Sequence, residues 1–208
     1  NALDAHATQI HVSIVDGGKT RIQVEDDGQG IPGDEVGLAI TRYATSKLDD
    51  EADLYAMSTY GFRGEALASI AEVSHLTMIT KTTRDLVATK LTNATGTVSM
   101  VPTPVAGLHG TTVIVENLFY NTPVRQKFLK SPQTEYFYCY DIFLGYALMH
   151  RDKQWVLHKD ERVIFDLPAC DDFLQRFTQI FKEERTDHLR ILDFDNDALR
   201  MYGVFSDA

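Results

Sequence analysis

The chain has 208 residues and a formal net charge of −10, long enough for one sizeable core and too acidic to hold nucleic acid over its whole surface, although a local basic groove stays open. Hydrophobic residues at 44% and charged residues at 24% match ordinary globular usage and exclude a disordered chain. No apolar run approaches the roughly 20 residues of a membrane helix, Asn1-Ala2-Leu3-Asp4 is no leader, and Cys139 and Cys170 form neither a C-x-x-C motif nor a metal set, which points to buried thiols in a reducing cytoplasm.

In chain order, Asn1-Ala2-Leu3-Asp4-Ala5 reads as the end of a helix, with Asn1 and Asp4 one turn apart. Ile10, Val12 and Ile14 alternate with polar residues, Asp16-Gly17-Gly18 follows, and Ile22 and Val24 resume the alternation, which predicts a hairpin. The spacing of Val36, Leu38, Ala39 and Ile40 predicts a helix from Asp34, and residues 43–60 read as a mobile loop. Leu67, Ile70 and Ala71 have helical spacing, with strands predicted over 76–80, 98–101 and 112–115. The aromatic-rich stretch 135–150 predicts a largely buried helix. Residues 155–158 and 163–165 flank Lys159-Asp160-Glu161 as a second hairpin, and 173–181 reads as a short helix. After a charged linker at 182–188, residues 189–194 and 199–205 look like two strands. No internal repeat or low-complexity tract interrupts the chain.

Three segments carry chemistry. Asp26-Asp27-Gly28-Gln29-Gly30-Ile31 follows directly on a strand. Asp-Gly is a common turn, and the same residues also suit a site where glycines let the backbone approach a ring and a buried carboxylate accepts a hydrogen bond from an exocyclic amine. Gly61-Phe62-Arg63-Gly64-Glu65-Ala66-Leu67 places two glycines before a helix, either as a hinge and cap or as a loop whose N–H groups cradle phosphate oxygens. The basic run Arg125-Gln126-Lys127-Phe128-Leu129-Lys130 is either a solvated helix face or a contact for a nucleic-acid backbone.

Together, in this order and spacing, the first five residues, the Asp26 segment and the Gly61 segment resemble the motifs of the GHKL ATPases. Ala44-Thr45-Ser46-Lys47, the run G-F-R-G-E-A-L-A-S-I from Gly61 to Ile70, and L-F-Y-N-T-P-V-R-Q-K-F-L from Leu118 to Leu129 narrow the resemblance to the MutL branch, densely from Asn1 to about Lys130. The resemblance implies an α/β sandwich of the GHKL, or Bergerat, type: a mixed, mainly antiparallel sheet backed by helices over residues 1–182, followed at 183–208 by the start of a truncated second domain of β-α-β type.

It also implies ATP and Mg²⁺ as cofactors. Asn1 would be the magnesium ligand, a hard oxygen donor that leaves room for phosphate and water. Asp26 would hold the adenine amino group, with Asp27 at the variable position after it, and Gly28 and Gly30 would make room for the base. Thr45, Ser46 and Lys47 would lie in a lid, Gly61, Phe62, Arg63 and Gly64 around the terminal phosphate, and Thr111 on a strand beneath the base. Arg125, Lys127 and Lys130 are the candidate DNA contacts. The family's water-activating glutamate falls four positions before Asn1, and a second-domain lysine falls after Ala208, so no catalytic residue is assigned and the chain alone is expected to be inactive in hydrolysis.

The implied activity is an ATP-driven switch in DNA mismatch repair, dimerising through its N-terminal regions. It would couple a MutS-type mismatch recognition protein to a repair endonuclease and a helicase, in bacterial cytoplasm or a eukaryotic nucleus. A topoisomerase-type GHKL ATPase and a non-hydrolysing DNA- or protein-binding scaffold are the alternatives, and the Leu118–Leu129 run speaks against the first.

Overall fold

Alternating apolar residues build the centre of the sheet. In the computed structural model, which describes residues 1–41, 64–107, 109–181, 189–196 and 199–206, β1 (Gln9–Val15) and β2 (Arg21–Asp26) form the expected antiparallel hairpin. A 3₁₀ turn at Asp16–Gly18 closes it, with Gly17 and Gly18 at φ of 65° and 88°. The remaining strands of the main sheet are β3 (His75–Lys81), β4 (Ala88–Ala94), β5 (Thr97–Thr103), β6 (Gly110–Glu116), β7 (Gln154–Lys159) and β8 (Arg162–Leu167). Their order is β5-β4-β3-β6-β2-β1-β7-β8. All neighbours are antiparallel except β1 and β7, which is the mixed, mainly antiparallel α/β arrangement expected.

The helices are α1 (Ala66–Glu72), α2 (Pro123–Lys127), α3 (Pro132–Met149) and α4 (Phe173–Phe181). Ser131 caps α3, its side chain accepting the Thr134 N–H at 3.2 Å, and Pro132 opens the first turn. Two apolar clusters divide the helix-facing side of the sheet. One gathers Ile10, Ile14, Trp155, Leu157 and Leu167 under Tyr136, Phe143 and Ala147 of α3 and Ile180 of α4. The other gathers Leu76, Met78 and Leu91 under Val36 and Ala71. The central pair β2–β6 lies between them.

Three expectations change. Residues 36–40 form a 3₁₀ helix rather than an α-helix, closed by Leu38 N–H to Glu35 C=O and Thr41 N–H to Leu38 C=O, both 2.9 Å. Gly37 within the run and no side-chain cap at Glu35 leave an α-helix of this length unsupported. Helix α3 is not largely buried: Tyr136, Phe143 and Ala147 are, whereas Ile142 and Met149 are 63% and 70% exposed. Apolar residues surround this helix, but a sheet covers only one stripe of it. Strand β4, Ala88–Ala94, was not anticipated, because only Ala88 and Leu91 are buried in a segment otherwise polar or small.

β9 (Leu189–Asp195) and β10 (Arg200–Ser206) pair antiparallel in a separate two-stranded sheet, as the strand pattern predicted. The expected loop at 43–60 and linker at 182–188 lie outside the described residues. Among the described residues no helix is long and apolar enough to cross a membrane.

Candidate functional site

The sheet register assembles a polar row on the helix-facing side. Asp26 pairs with Thr111, Thr111 with Thr80 and Thr80 with Thr89 across β2, β6, β3 and β4. The same row continues apolar on the other flank, through Ile10 and Trp155. Two residues along the strands, on the same face, the corresponding positions are Val24, Val113, Met78 and Leu91. Polarity is therefore confined to one end of the β2–β6–β3 ladder.

Asp26 ends β2 and is partly buried. Burial pushes its carboxyl above the usual carboxylate range, opposed by the Gly28 N–H, which donates to Oδ1 at 2.9 Å. Asp27 points elsewhere. It accepts the Thr8 and Gln9 N–H groups at 2.7 and 2.8 Å, together with the Thr8 hydroxyl. Burial raises its carboxyl too, but those donors outweigh burial and hold it below the ordinary value. The two adjacent carboxylates thus divide roles: Asp27 ties the end of β2 to the start of β1, and Asp26 faces the polar row.

The turn after Asp26 is fixed residue by residue. Gln29 N–H donates to Ala5 C=O at 3.0 Å, and Ile31 N–H to Thr80 Oγ1 at 2.9 Å. The Thr80 hydroxyl lies 3.0 Å from Thr111 Oγ1 and 3.2 Å from Gly110 C=O. His109 Nδ1 lies 2.7 Å from the Gly28 carbonyl. A Cβ on Gly28 would press on Ala5 and the Asp26 carboxylate at 2.8 Å, and one on Gly30, at φ of 71°, would collide with the Lys81 carbonyl. The protein's own packing fills the space beside these glycines.

Asn1 is exposed, and its carbonyl accepts the Ala5 N–H at 2.8 Å in the first turn. Gly64, at φ of 62°, precedes Glu65, the N-cap of α1. Thr45, Ser46, Lys47, Gly61, Phe62 and Arg63 lie outside the described residues. The Leu118–Leu129 run has a visible structural role: Phe119 N–H donates to Val73 C=O and Asn121 Nδ2 to Glu72 C=O, both at 2.7 Å, capping the end of α1. Arg125 and Lys127 are exposed in the last turn of α2, with the Arg125 guanidinium 4.5 Å from the Phe119 ring centre. Lys130 is exposed between α2 and α3, where its N–H donates to Glu135 at 2.6 Å. The structure thus joins Asp26, Gly28, Gly30 and Thr111 in one site. It adds Thr80 and His109, which sequence reasoning missed.

The profile described as "Histidine kinase-, DNA gyrase B-, and HSP90-like ATPase" matches residues 1–103. Together with the mixed, mainly antiparallel sheet, this places the chain in the GHKL ATPase class. The chain is 40% identical over 206 residues to the DNA mismatch repair protein MutL of Persephonella marina and 39% identical over 206 residues to that of Thermotoga maritima. Each alignment covers 99% of this chain, and 39% and 40% of the respective relative. The solved MutL ATPase domain of Aquifex aeolicus complexed with ADP superposes with a TM-score of 0.67 at 27% identity, over 88% of this chain and 64% of that one. The chain belongs to the MutL family and corresponds to its N-terminal ATPase region.

Proposed function

We propose that this region binds ATP as the nucleotide-dependent switch of a DNA mismatch repair protein. The observation that carries the reading is the polar row Asp26–Thr111–Thr80 set directly beside the apolar row Val24–Val113–Met78 on the same sheet face. A half-buried carboxylate beside a hydroxyl pair suits the exocyclic amine and ring nitrogen of adenine, and the nucleotide complex of the Aquifex aeolicus relative supports it. Guanine presents an acceptor where adenine has that amine, and Asp26 would repel it.

Gly64 before α1 and the lid residues Thr45, Ser46 and Lys47, with Gly61, Phe62 and Arg63, complete the proposed phosphate contacts. Mg²⁺, when bound, neutralises phosphate charge and fixes the geometry of the chain of phosphates. The Asn1 amide oxygen would hold it. One hard protein oxygen beside phosphate and water is the donor set that this ion takes. The residues in hand bind and orient: Asp26 selects the base, Thr111 and Thr80 back it, and the turn through Ile31 excludes water from its edge. Nucleotide binding is the property these residues supply.

In the intact protein, ATP would order the lid and bring two N-terminal regions together. It would thereby link a MutS-type recognition protein to a repair endonuclease and a helicase. Arg125, Lys127 and Lys130 would add weak, sequence-independent DNA contact. Residues 183–208, which include β9 and β10, would open the second domain. The test is calorimetric titration of the chain and of Asp26→Asn with ADP. Binding by the parent and a loss of about tenfold or more in the variant are expected, and equal affinities would refute the assignment.

A further inference from the structure

The start of β6 touches the base-reading turn directly. Gly110 has a φ of 129°, and a Cβ on it would collide with the Asp26 carbonyl, so the two backbones are in contact. His109, one residue earlier, reaches back across this contact to the Gly28 carbonyl, 2.7 Å from Nδ1. A carbonyl only accepts, so Nδ1 carries the proton. Gly28 is then gripped on both sides, its N–H on Asp26 Oδ1 and its C=O on His109. The peptide that follows is gripped twice as well, because its carbonyl is that of Gly28 and its N–H, from Gln29, donates to Ala5 C=O.

We infer that His109 is a positioning residue for nucleotide recognition: its Nδ1–H fixes the Gly28 carbonyl, and through Gly28 the orientation of the Asp26 carboxylate. The inference rests on the reading of Asp26 as the adenine contact. The physical gain is preorganisation. A turn already held in its binding geometry loses less freedom when ligand arrives, whereas a loose turn must be ordered at the expense of affinity. His109 touches no substrate in this account and acts through Gly28. Thr80 anchors the far end of the same turn at Ile31, so loss of His109 loosens the end nearest the carboxylate, where Gln29 N–H on Ala5 C=O remains as a hold, and leaves the other end unchanged.

The experiment titrates the 208-residue chain and its variants with ADP and reads the His109 ring nitrogens by ¹⁵N NMR. Removing one net hydrogen bond corresponds to about a fivefold to tenfold change, and His109→Leu is expected to weaken ADP binding by that factor. His109→Asn, whose amide nitrogen can stand where Nδ1 stands, is expected to stay within about twofold of the parent, a rescue that loss of packing alone would not give. In the parent, the neutral ring is expected as the Nδ1–H tautomer, a readout that needs no variant to fold. Parent-like ADP affinity in His109→Leu, equal losses in the leucine and asparagine variants at unchanged thermal midpoints, or an Nε2–H tautomer would each overturn the inference. Asp26→Asn separates the two levels. If it loses ADP while His109→Leu does not, only the positioning role falls; if it keeps parent affinity, the reading of Asp26 falls and takes the inference with it.

Discussion

Asp26 and Asp27 are neighbours with opposite electrostatic histories, and pH separates them. The Asp27 carboxyl lies below its ordinary value of 3.8 in the folded chain. It therefore contributes stability that is fully present above that value and is lost as pH falls through the folded one. Asp26 lies above 3.8 because burial disfavours its charge. Its contribution is present below 3.8 and is lost as pH rises through the folded value, so at neutral pH the ionised group costs stability. Thermal unfolding at pH 7 should show Asp27→Asn less stable than the parent by about 1 kcal/mol, with the difference shrinking below pH of about 4. Asp26→Asn should match or exceed the parent midpoint at pH 7 while losing nucleotide affinity. A midpoint for Asp26→Asn well below that of Asp27→Asn would reverse the assignment of structural and ligand-binding carboxylates.

Arg176 ties helix α4 to one end of the β7–β8 pair. It lies fully buried in α4, with Nη1 donating to Leu167 C=O at 3.1 Å and Nη2 to Arg151 and Lys153 C=O at 2.9 and 2.7 Å. These bonds join the end of β8 and the turn before β7 to the helix. Arg176→Met keeps the bulk and abandons three carbonyls, for an expected loss of about 3 kcal/mol in urea unfolding; an unchanged midpoint would remove this clamp from the fold. How legible such elements are in sequence depends on how local their causes are. The hairpins were readable, because alternation at Ile10, Val12 and Ile14 and the turn residues at 16–18 act within a few positions. Asp26, Gly28, Gly30 and Thr111, which the fold brings together, were singled out by the resemblance of their motifs to those of a known family. Thr80 was readable in principle: Leu76 and Met78 point inward, so parity put a polar side chain inside at 80. His109 had no local signal, since its partner lies 81 residues away. Strand β4 is held by its neighbours rather than by its own composition, and the exposure of α3 depends on how much of it the sheet covers.

At the scale of the molecule, a net charge of −10 confines any DNA contact to a local patch, for which Arg125, Lys127 and Lys130 are all exposed. Substituting Arg125 and Lys127 with glutamine should weaken binding to duplex DNA uniformly across sequences and lower its salt slope by roughly one unit per phosphate contact removed. Unchanged affinity and slope would leave the run as a solvated, capping-associated helix. The larger claim is that two apolar clusters flank a polar row built to read adenine. Its most direct test follows backbone amide signals of the 208-residue chain by NMR during parallel titrations with ADP and GDP. The account predicts saturable shifts with ADP concentrated at Asp26 to Ile31, Thr80 and Thr111, and at most scattered, non-saturating shifts with GDP. Equal responses to the two nucleotides, or ADP shifts that leave Asp26, Thr80 and Thr111 unmoved, would contradict it.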